Sequence, residues 1–194
     1  MPFNHIHHAF EAQATERPNS IAADHLGETI TYGELDRHAN RLAAELARHG
    51  VSNGDAVSLF VRRSLPMLVG IMASLKTGAC YVPQDVKVAP EPQLRHVATV
   101  TESKVILTLS EFTHLVPKIE GVTIIEIDTF MQQPVHLTDD KESARFVPDA
   151  PIDLDARCFI LFTSGTTGNP NGVQVTHRNA VSYTHLTLPT IYSV

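Results

Sequence analysis

The residues best suited to chemistry lie in one stretch. An apolar run, Cys158-Phe159-Ile160-Leu161-Phe162, gives way to Thr163-Ser164-Gly165-Thr166-Thr167-Gly168-Asn169-Pro170-Asn171-Gly172. The run has the length and composition of a buried strand. Three glycines and a proline then rule out a regular element. Glycine admits close backbone approach and lets successive N–H groups point at one ligand, a nest of donors suited to a polyphosphate. Thr163, Ser164, Thr166 and Thr167 add hydroxyl donors. The common nucleoside triphosphatase loop needs four residues between its glycines, then Lys, Ser or Thr, and a helix. Here Pro170 stands five residues beyond Gly165, and Val173 five beyond Gly168, so neither register fits. The dinucleotide fingerprint fails as well, lacking its G-x-G start and following helix. Gly172-Val173-Gln174-Val175-Thr176 instead alternates like a strand. The alternative, a mobile connecting loop, has no need of four hydroxyls and three glycines directly after an apolar strand.

Helices and strands alternate along the rest of the chain, as in a sheet of parallel strands with crossover helices. Ile6, Phe10 and Ala14 recur at helical spacing up to Arg17-Pro18, with His5, His7 and His8 expected as exposed side chains of that helix. Ile21-Ala22-Ala23 and Glu28-Thr29-Ile30 flank Leu26-Gly27 like a hairpin. Thr31 and Glu34 form a capping box for a helix buried along Leu35, Ala39, Leu42, Ala43 and Leu46 and stopped at Gly50. Arg37, Arg41, Glu45 and Arg48 lie off that face and read as solvated. Val57 to Val61 is a strand. Ser64-Leu65-Pro66 starts a second helix with Leu68, Ile71, Met72 and Leu75 inward, Met67 and Met72 serving as core packing. Gly78 ends it, Ala79 to Val82 is a strand, and Pro83 is expected to break that strand. Lys76 reads as a helix-end cation and Asp85 as a turn carboxylate rather than catalytic groups. Pro90 to Thr101 is a helix with Leu94 and Val97 inward, followed by strands at Lys104–Leu109 and Val122–Ile127. Asp128 to Asp155 is polar and reads as a long surface connection.

The stretch from Thr163 resembles the phosphate loop of the adenylate-forming enzymes, which include the amino-acid-activating domains of nonribosomal peptide synthetases and the acyl-CoA synthetases. That family reads roughly Tyr-Thr-Ser-Gly-Thr-Thr-Gly-x-Pro-Lys-Gly, then Val and a His-Arg or His-Lys pair. Thr163 to Gly168, Pro170, Gly172, Val173, His177, Arg178 and Asn179 match, and Asn171 stands where the family has lysine. Thr31-Tyr32-Gly33-Glu34-Leu35 and Leu75-Lys76-Thr77-Gly78-Ala79-Cys80-Tyr81-Val82-Pro83-Gln84-Asp85 resemble two further family markers, and their wording leans toward amino-acid activation. The resemblance implies an α/β fold, the N-terminal part of the large subdomain, with a mixed, largely parallel sheet. It implies ATP with Mg²⁺ as cosubstrate, a small carboxylic or amino acid as substrate, and phosphopantetheine on a carrier domain as acyl acceptor. The cofactor-binding residues it implies are Thr163, Ser164, Gly165, Thr166, Thr167, Gly168, Asn171 and Gly172. Ser164, Thr166, Thr167 and backbone N–H groups would cradle the β and γ phosphates, and the glycines would be structural. The catalytic lysine and the Mg²⁺-binding acid of the family have no counterpart in the matching region. A non-catalytic scaffold domain of the same family and the acyl-CoA branch are the alternatives.

The chain has 194 residues, a net charge of −6 with neutral histidines, and 43% hydrophobic residues, an ordinary globular composition. Mild acidity without a basic cluster argues against a nucleic-acid partner. No apolar run approaches the roughly 20 residues of a membrane span. Met1 to Glu11 has no apolar signal core, which points to a cytoplasmic protein. Cys80 and Cys158, both in apolar runs, read as buried thiols. The resemblance covers roughly residues 6 to 180, less than half of a whole adenylation domain, so residues 1–180 read as a partial domain that ends after the phosphate loop. Residues 181–194 carry no charged side chain and no helical periodicity, and Pro189 and β-branched residues oppose a helix there. They resemble the in-frame translation of a transposase-type sequencing adapter, a non-native tail. By itself the chain is expected to be inactive and not to form a stable monomer, because the strand at Cys158–Thr163 is apolar throughout and expects cover on both faces.

Overall fold

The computed structural model describes residues 5–133, 145–163 and 170–186, with side chains as far as residue 181. Helix α1 (Ile6–Glu16) stops ahead of Pro18. Strands β1 (Ile21–His25) and β2 (Glu28–Thr31) pair antiparallel. Leu26 and Gly27 take positive φ, 57° and 86°, as a primed hairpin turn requires. Helix α2 (Tyr32–Arg48) opens on a complete capping box: Glu34 N–H donates to Thr31 Oγ1 at 3.2 Å, and Thr31 N–H donates to Glu34 Oε2 at 2.9 Å. It ends where Gly50 takes φ 77° and Val51 N–H returns to Leu46 C=O at 3.0 Å. There follow β3 (Ala56–Val61), α3 (Leu65–Thr77), β4 (Cys80–Asp85), α4 (Glu91–Val100) and β5 (Val105–Thr108). A short 3-10 helix (Ser110–Leu115) leads to β6 (Thr123–Glu126) and α5 (Ile127–Gln132), and the chain closes with β7 (Arg157–Thr163), β8 (Asn171–Thr176) and α6 (His177–Leu186).

The main sheet has the order β6-β5-β3-β4-β7-β8. Its first five strands are mutually parallel, and β8 runs antiparallel along β7. This is the mixed, largely parallel α/β sheet that the alternation of elements implies. Helices cover both faces. On one, α3 packs so closely that a Cβ at Gly70 would come 2.7 Å from Leu59 Cδ1 and 3.0 Å from Ile127 Cδ1. On the other, Ser58 Oγ lies 2.8 Å from Ser103 Oγ, just past α4. β3, the central strand, is buried at every position. No helix among the described residues is long and apolar enough to cross a membrane.

Several expectations need correction. His5 and His7 are buried, at 7% and 3% exposure, because the first helix packs its histidine face inward against α6. Arg41 is buried too: its guanidinium donates to Gln133 C=O at 3.3 Å and stacks 5.3 Å above the Phe130 ring. α3 buries Val69, Gly70, Ala73 and Ser74 rather than Leu68, Ile71 and Met72, because small residues let it approach the sheet. Pro83 does not break β4, which runs in register with β3 through Asp85. Proline fits extended backbone, and the ladder between β4 and β7 is confined to Tyr81–Phe159. The polar connection after Asp128 begins as α5, anchored by buried Ile127 and Phe130. The alternation in β7 leaves Leu161 44% exposed, so this strand is covered on one face along its second half. α6 continues through Leu186, where no helix was expected. A Thr176 hydroxyl caps it by accepting from Asn179 N–H at 3.3 Å, and the helix cost of β-branched residues is below about 0.7 kcal/mol each.

Lys76 is not an ordinary helix-end cation. Its side chain is 1% exposed and is ion-paired to Glu11 of α1 and, at 3.0 Å, to Asp36 of α2. Glu11 also receives Arg145. A buried ammonium is tolerated only with such partners. Removing one member of a buried pair costs about 3–5 kcal/mol, and Arg145 remains beside Glu11, which argues for the low end. Lys76→Met is therefore expected to lower unfolding free energy by about 3 kcal/mol, and Lys76→Met with Glu11→Leu to recover most of it. Urea unfolding of the protein that contains this chain checks both, and a loss below about 1 kcal/mol in the single variant would contradict the account.

Candidate functional site

The glycine- and hydroxyl-rich stretch is the connection of a hairpin. Thr163, the last residue of β7, is the register partner of Asn171, the first of β8. Directly opposed residues of antiparallel strands have Cα atoms about 4.5–5.5 Å apart. The connection therefore begins and ends at nearly the same point, a closed loop. β7 is parallel to β4, so the loop leaves the carboxyl edge of the sheet, where β3 and β4 also end at Val61 and Asp85. That edge is where open α/β sheets bind ligands. Of the predicted site residues, Thr163, Asn171 and Gly172 are placed at the loop's mouth. Ser164, Gly165, Thr166, Thr167 and Gly168 lie outside the described residues.

Thr163 and Asn171 are both exposed. They share a strand face with the pair Leu161 and Val173, 44% and 52% exposed. The opposite face carries Ile160, Phe162 and their partners Gln174 and Gly172. A Cβ on Gly172 would lie 3.1 Å from both Ile160 Cγ2 and Phe162 Cζ. Gly172 is thus required by packing: it lets Phe162 lie over β8 while reaching the main core.

The base of the hairpin is clamped to the residues that precede β7. His177 N–H donates to Ala156 C=O at 3.1 Å, and Arg178 N–H to Leu154 C=O at 2.9 Å. The Arg178 guanidinium grips Asp155 through two bonds of 2.7 and 3.0 Å, which hold that carboxyl below the usual carboxylate range. His177 itself is fully buried, and burial, with His5 and His8 nearby, lowers its pKa to about 4. The sequence places His177 in the motif but gives no sign of its burial, since its neighbours Thr176, Arg178 and Asn179 are polar. Cys80 and Cys158 are free, buried thiols one residue ahead of the Tyr81–Phe159 bridge, and burial pushes Cys158 up to about 12. Neither is poised as a nucleophile, which needs a lowered pKa.

A largely parallel α/β sheet presenting a glycine- and hydroxyl-rich loop at its carboxyl edge is the architecture of a nucleotide-phosphate-binding protein. The chain belongs to the AMP-binding enzyme family, whose profile matches residues 10–192. It is 38% identical over 189 residues to adenylate-forming reductase 03009 of Coprinopsis cinerea, covering 94% of this chain and 17% of the relative. Gramicidin S synthase 1 of Brevibacillus brevis is 32% identical, over 89% of this chain and 15% of the synthase. The chain thus spans about a sixth of the length of these relatives. Among solved structures, the nonribosomal peptide synthetase FmoA3 in its AMPPNP-bound form superposes with a TM-score of 0.81 at 26% identity, covering 95% of this chain and 18% of that one. The N-terminal subdomain of Klebsiella oxytoca NpsA superposes at 0.76 and 25% identity, covering 97% and 45%.

The close approach at Gly172 sets a test of the hairpin. Overpacking costs about 1–3 kcal/mol and outweighs the roughly 0.4–1 kcal/mol that replacing a glycine contributes through the unfolded chain. Gly172→Ala should therefore weaken amide protection in β7 and β8 while α2 keeps its own. Unchanged protection in both strands would show that Phe162 yields without cost.

Proposed function

We propose that the chain forms part of the adenylation domain of an ATP-dependent carboxylate-activating enzyme. The observation that carries this reading is the hydroxyl- and glycine-rich loop, closed by paired strand ends at the carboxyl edge of a sheet with the family's fold. In the proposed reaction a carboxylate oxygen attacks the α-phosphorus of ATP. The bond to the bridging oxygen breaks, and pyrophosphate leaves with its electron pair, giving an acyl- or aminoacyl-adenylate. The hydroxyls of Ser164, Thr166 and Thr167 and the loop N–H groups hold the β and γ phosphates, with Thr163 and Asn171 at the mouth. Mg²⁺ accompanies ATP. Catalysis of this kind rests on positioning and on stabilising phosphate charge. The substrate is a small carboxylic or amino acid, and phosphopantetheine on a carrier domain is the acyl acceptor. The domain works in the cytoplasm, and residues 1–180 alone are inactive. α6 runs through Leu186 whatever the origin of residues 181–194. Their reading as translated adapter is tested on genomic DNA, where an unbroken native frame encoding the same tail would overturn it.

A second reading is favoured by one observation. Adenylate-forming reductases reach 38% and 37% identity to this chain, against 32% for gramicidin S synthase 1. In that reading the complete enzyme reduces the activated carboxyl group, and an aldehyde rather than a peptide intermediate is the product to look for.

In the complete enzyme, Gly165→Val should abolish carboxylate-dependent ATP–pyrophosphate exchange by blocking close backbone approach to phosphate. Unchanged exchange would remove the loop from the mechanism. Asn171 supplies a neutral donor at an exposed strand end, where a lysine would supply a charge-assisted one. Such bonds are worth about 1.5–3 kcal/mol against about 1 for neutral ones. Asn171→Lys should raise kcat/KM for ATP about tenfold, and no gain would mean the site has adapted to asparagine.

A further inference from the structure

Four histidines from two ends of the chain meet at the base of the loop hairpin. The His177 ring centroid lies 4.8 Å from that of His5 and 6.0 Å from that of His7, and His8 lies 4.8 and 4.4 Å from the same two. His5, His7 and His177 are buried, His177 completely. Their ring nitrogens find almost no partners. Both nitrogens of His177 and the Nδ1 atoms of His5 and His7 are buried without a hydrogen bond, and His5 Nε2 alone bonds, to Ile152 C=O at 3.1 Å. A buried ring with no acceptor can stay in place only while uncharged, because an imidazolium would bring two N–H donors and a charge with nothing to receive them.

The place of the cluster gives it leverage. His177 is the first residue of α6 and follows β8 directly, and its backbone N–H closes the clamp on Ala156. α1 covers it with His5 and His7 and is itself held to α3 through Glu11 and Lys76. We propose that His5, His7 and His177 form a proton-sensitive latch that pins α1 over the base of the loop hairpin while neutral and releases it when they protonate. His177 is on this account a positioning residue for the loop rather than a catalytic one. This part rests on the loop being the phosphate site.

The surroundings decide the direction of response. From α1 the cluster faces His8 and Glu11; from α3, Lys76; from the segment ahead of β7, Arg145 and Asp153; from α6 itself, Arg178. Glu11 is committed to Lys76 and Arg145, and Arg178 to Asp155. Asp153 favours a charged His5, but burial and His8 outweigh it, and His5 is lowered. Burial, with the neighbouring histidines, lowers His7 to about 2 and His177 to about 4, and Lys76 adds to the shift at His7. All three are thus depressed below the ordinary value near 6.5. The latch is fully closed above that value and weakens as pH falls below it, one proton being taken up per histidine on opening. Between about pH 7.5 and about pH 5.5, His7 and His177 should each raise the opening constant about tenfold, roughly a hundredfold together. His5 acts in the same direction.

Hydrogen exchange of α1 amides in the complete protein, corrected for the intrinsic pH dependence of exchange, measures the latch without any activity. Protection in α1 should fall about a hundredfold over that interval while the core of α2 holds. His177→Phe keeps an apolar ring and should remove about one factor of ten from the pH response. Should that variant fail to fold, His7→Phe reports the same loss of slope. Protection independent of pH, or a slope unchanged in either variant, would overturn the latch. ATP affinity measured alongside separates the two readings. Release of α1 with ATP affinity unchanged would leave the latch standing and show that it does not act on the loop. Loss of the pH response with ATP binding intact would remove the latch and leave the loop assignment in place.

Discussion

A buried ammonium fixes how the first third of this chain is assembled. Lys76 has left water almost entirely, and the free energy of that transfer is recovered only if two carboxylates meet it at short range. One comes from α1 and the other from α2, so the packing of three helices is set by a single charge. Glu11 lies one helical turn beyond His7, and holding the first therefore places the second. That is how an interaction at the far end of α3 reaches the hairpin that carries the loop. Hydrophobic contact alone would leave α1 free to slide, since its apolar stripe is short and its outer half polar.

The sheet adds a second constraint, one of distance rather than charge. Gly70 and Gly172 each stand where a methyl group would collide with a packed side chain. At Gly70 this draws α3 onto β3 and β5. At Gly172 it lets Phe162 bridge from the hairpin to the main core. Between them the central strand is sealed and the loop-bearing strand is held at the carboxyl edge. The antiparallel turn into β8 returns the chain beside its starting point, which parallel crossovers cannot do in so few residues.

Most of the frame was legible in the sequence because it obeys local rules. The capping box at Thr31, the glycine stop at Gly50, the primed turn at Leu26-Gly27 and the buried faces of α2 and α4 all follow from side-chain chemistry within a few positions. The loop was legible through its unusual density of glycine and hydroxyl. What escaped was set by distant partners. His5, His7, Arg41 and Lys76 have the polarity of surface residues, and only tertiary packing supplies what buries them. Pro83 looked like a strand breaker because sequence does not tell how far a neighbouring ladder extends. α6 was missed because weak propensities were weighed without its cap, and β7 misled by composition, its exposed half being as apolar as its buried half.

The neighbouring thiols have a practical consequence. Cys80 and Cys158 sit at matching positions on adjacent strands, about 4.8 Å apart across the ladder, and both are sealed from solvent. Alkylating reagents attack thiolates, and burial holds both groups protonated. The pair therefore forms a silent marker at the seam where the loop-bearing strand joins the rest of the sheet. Its labelling rate is a clock for the parting of β4 from β7, requiring neither nucleotide nor substrate.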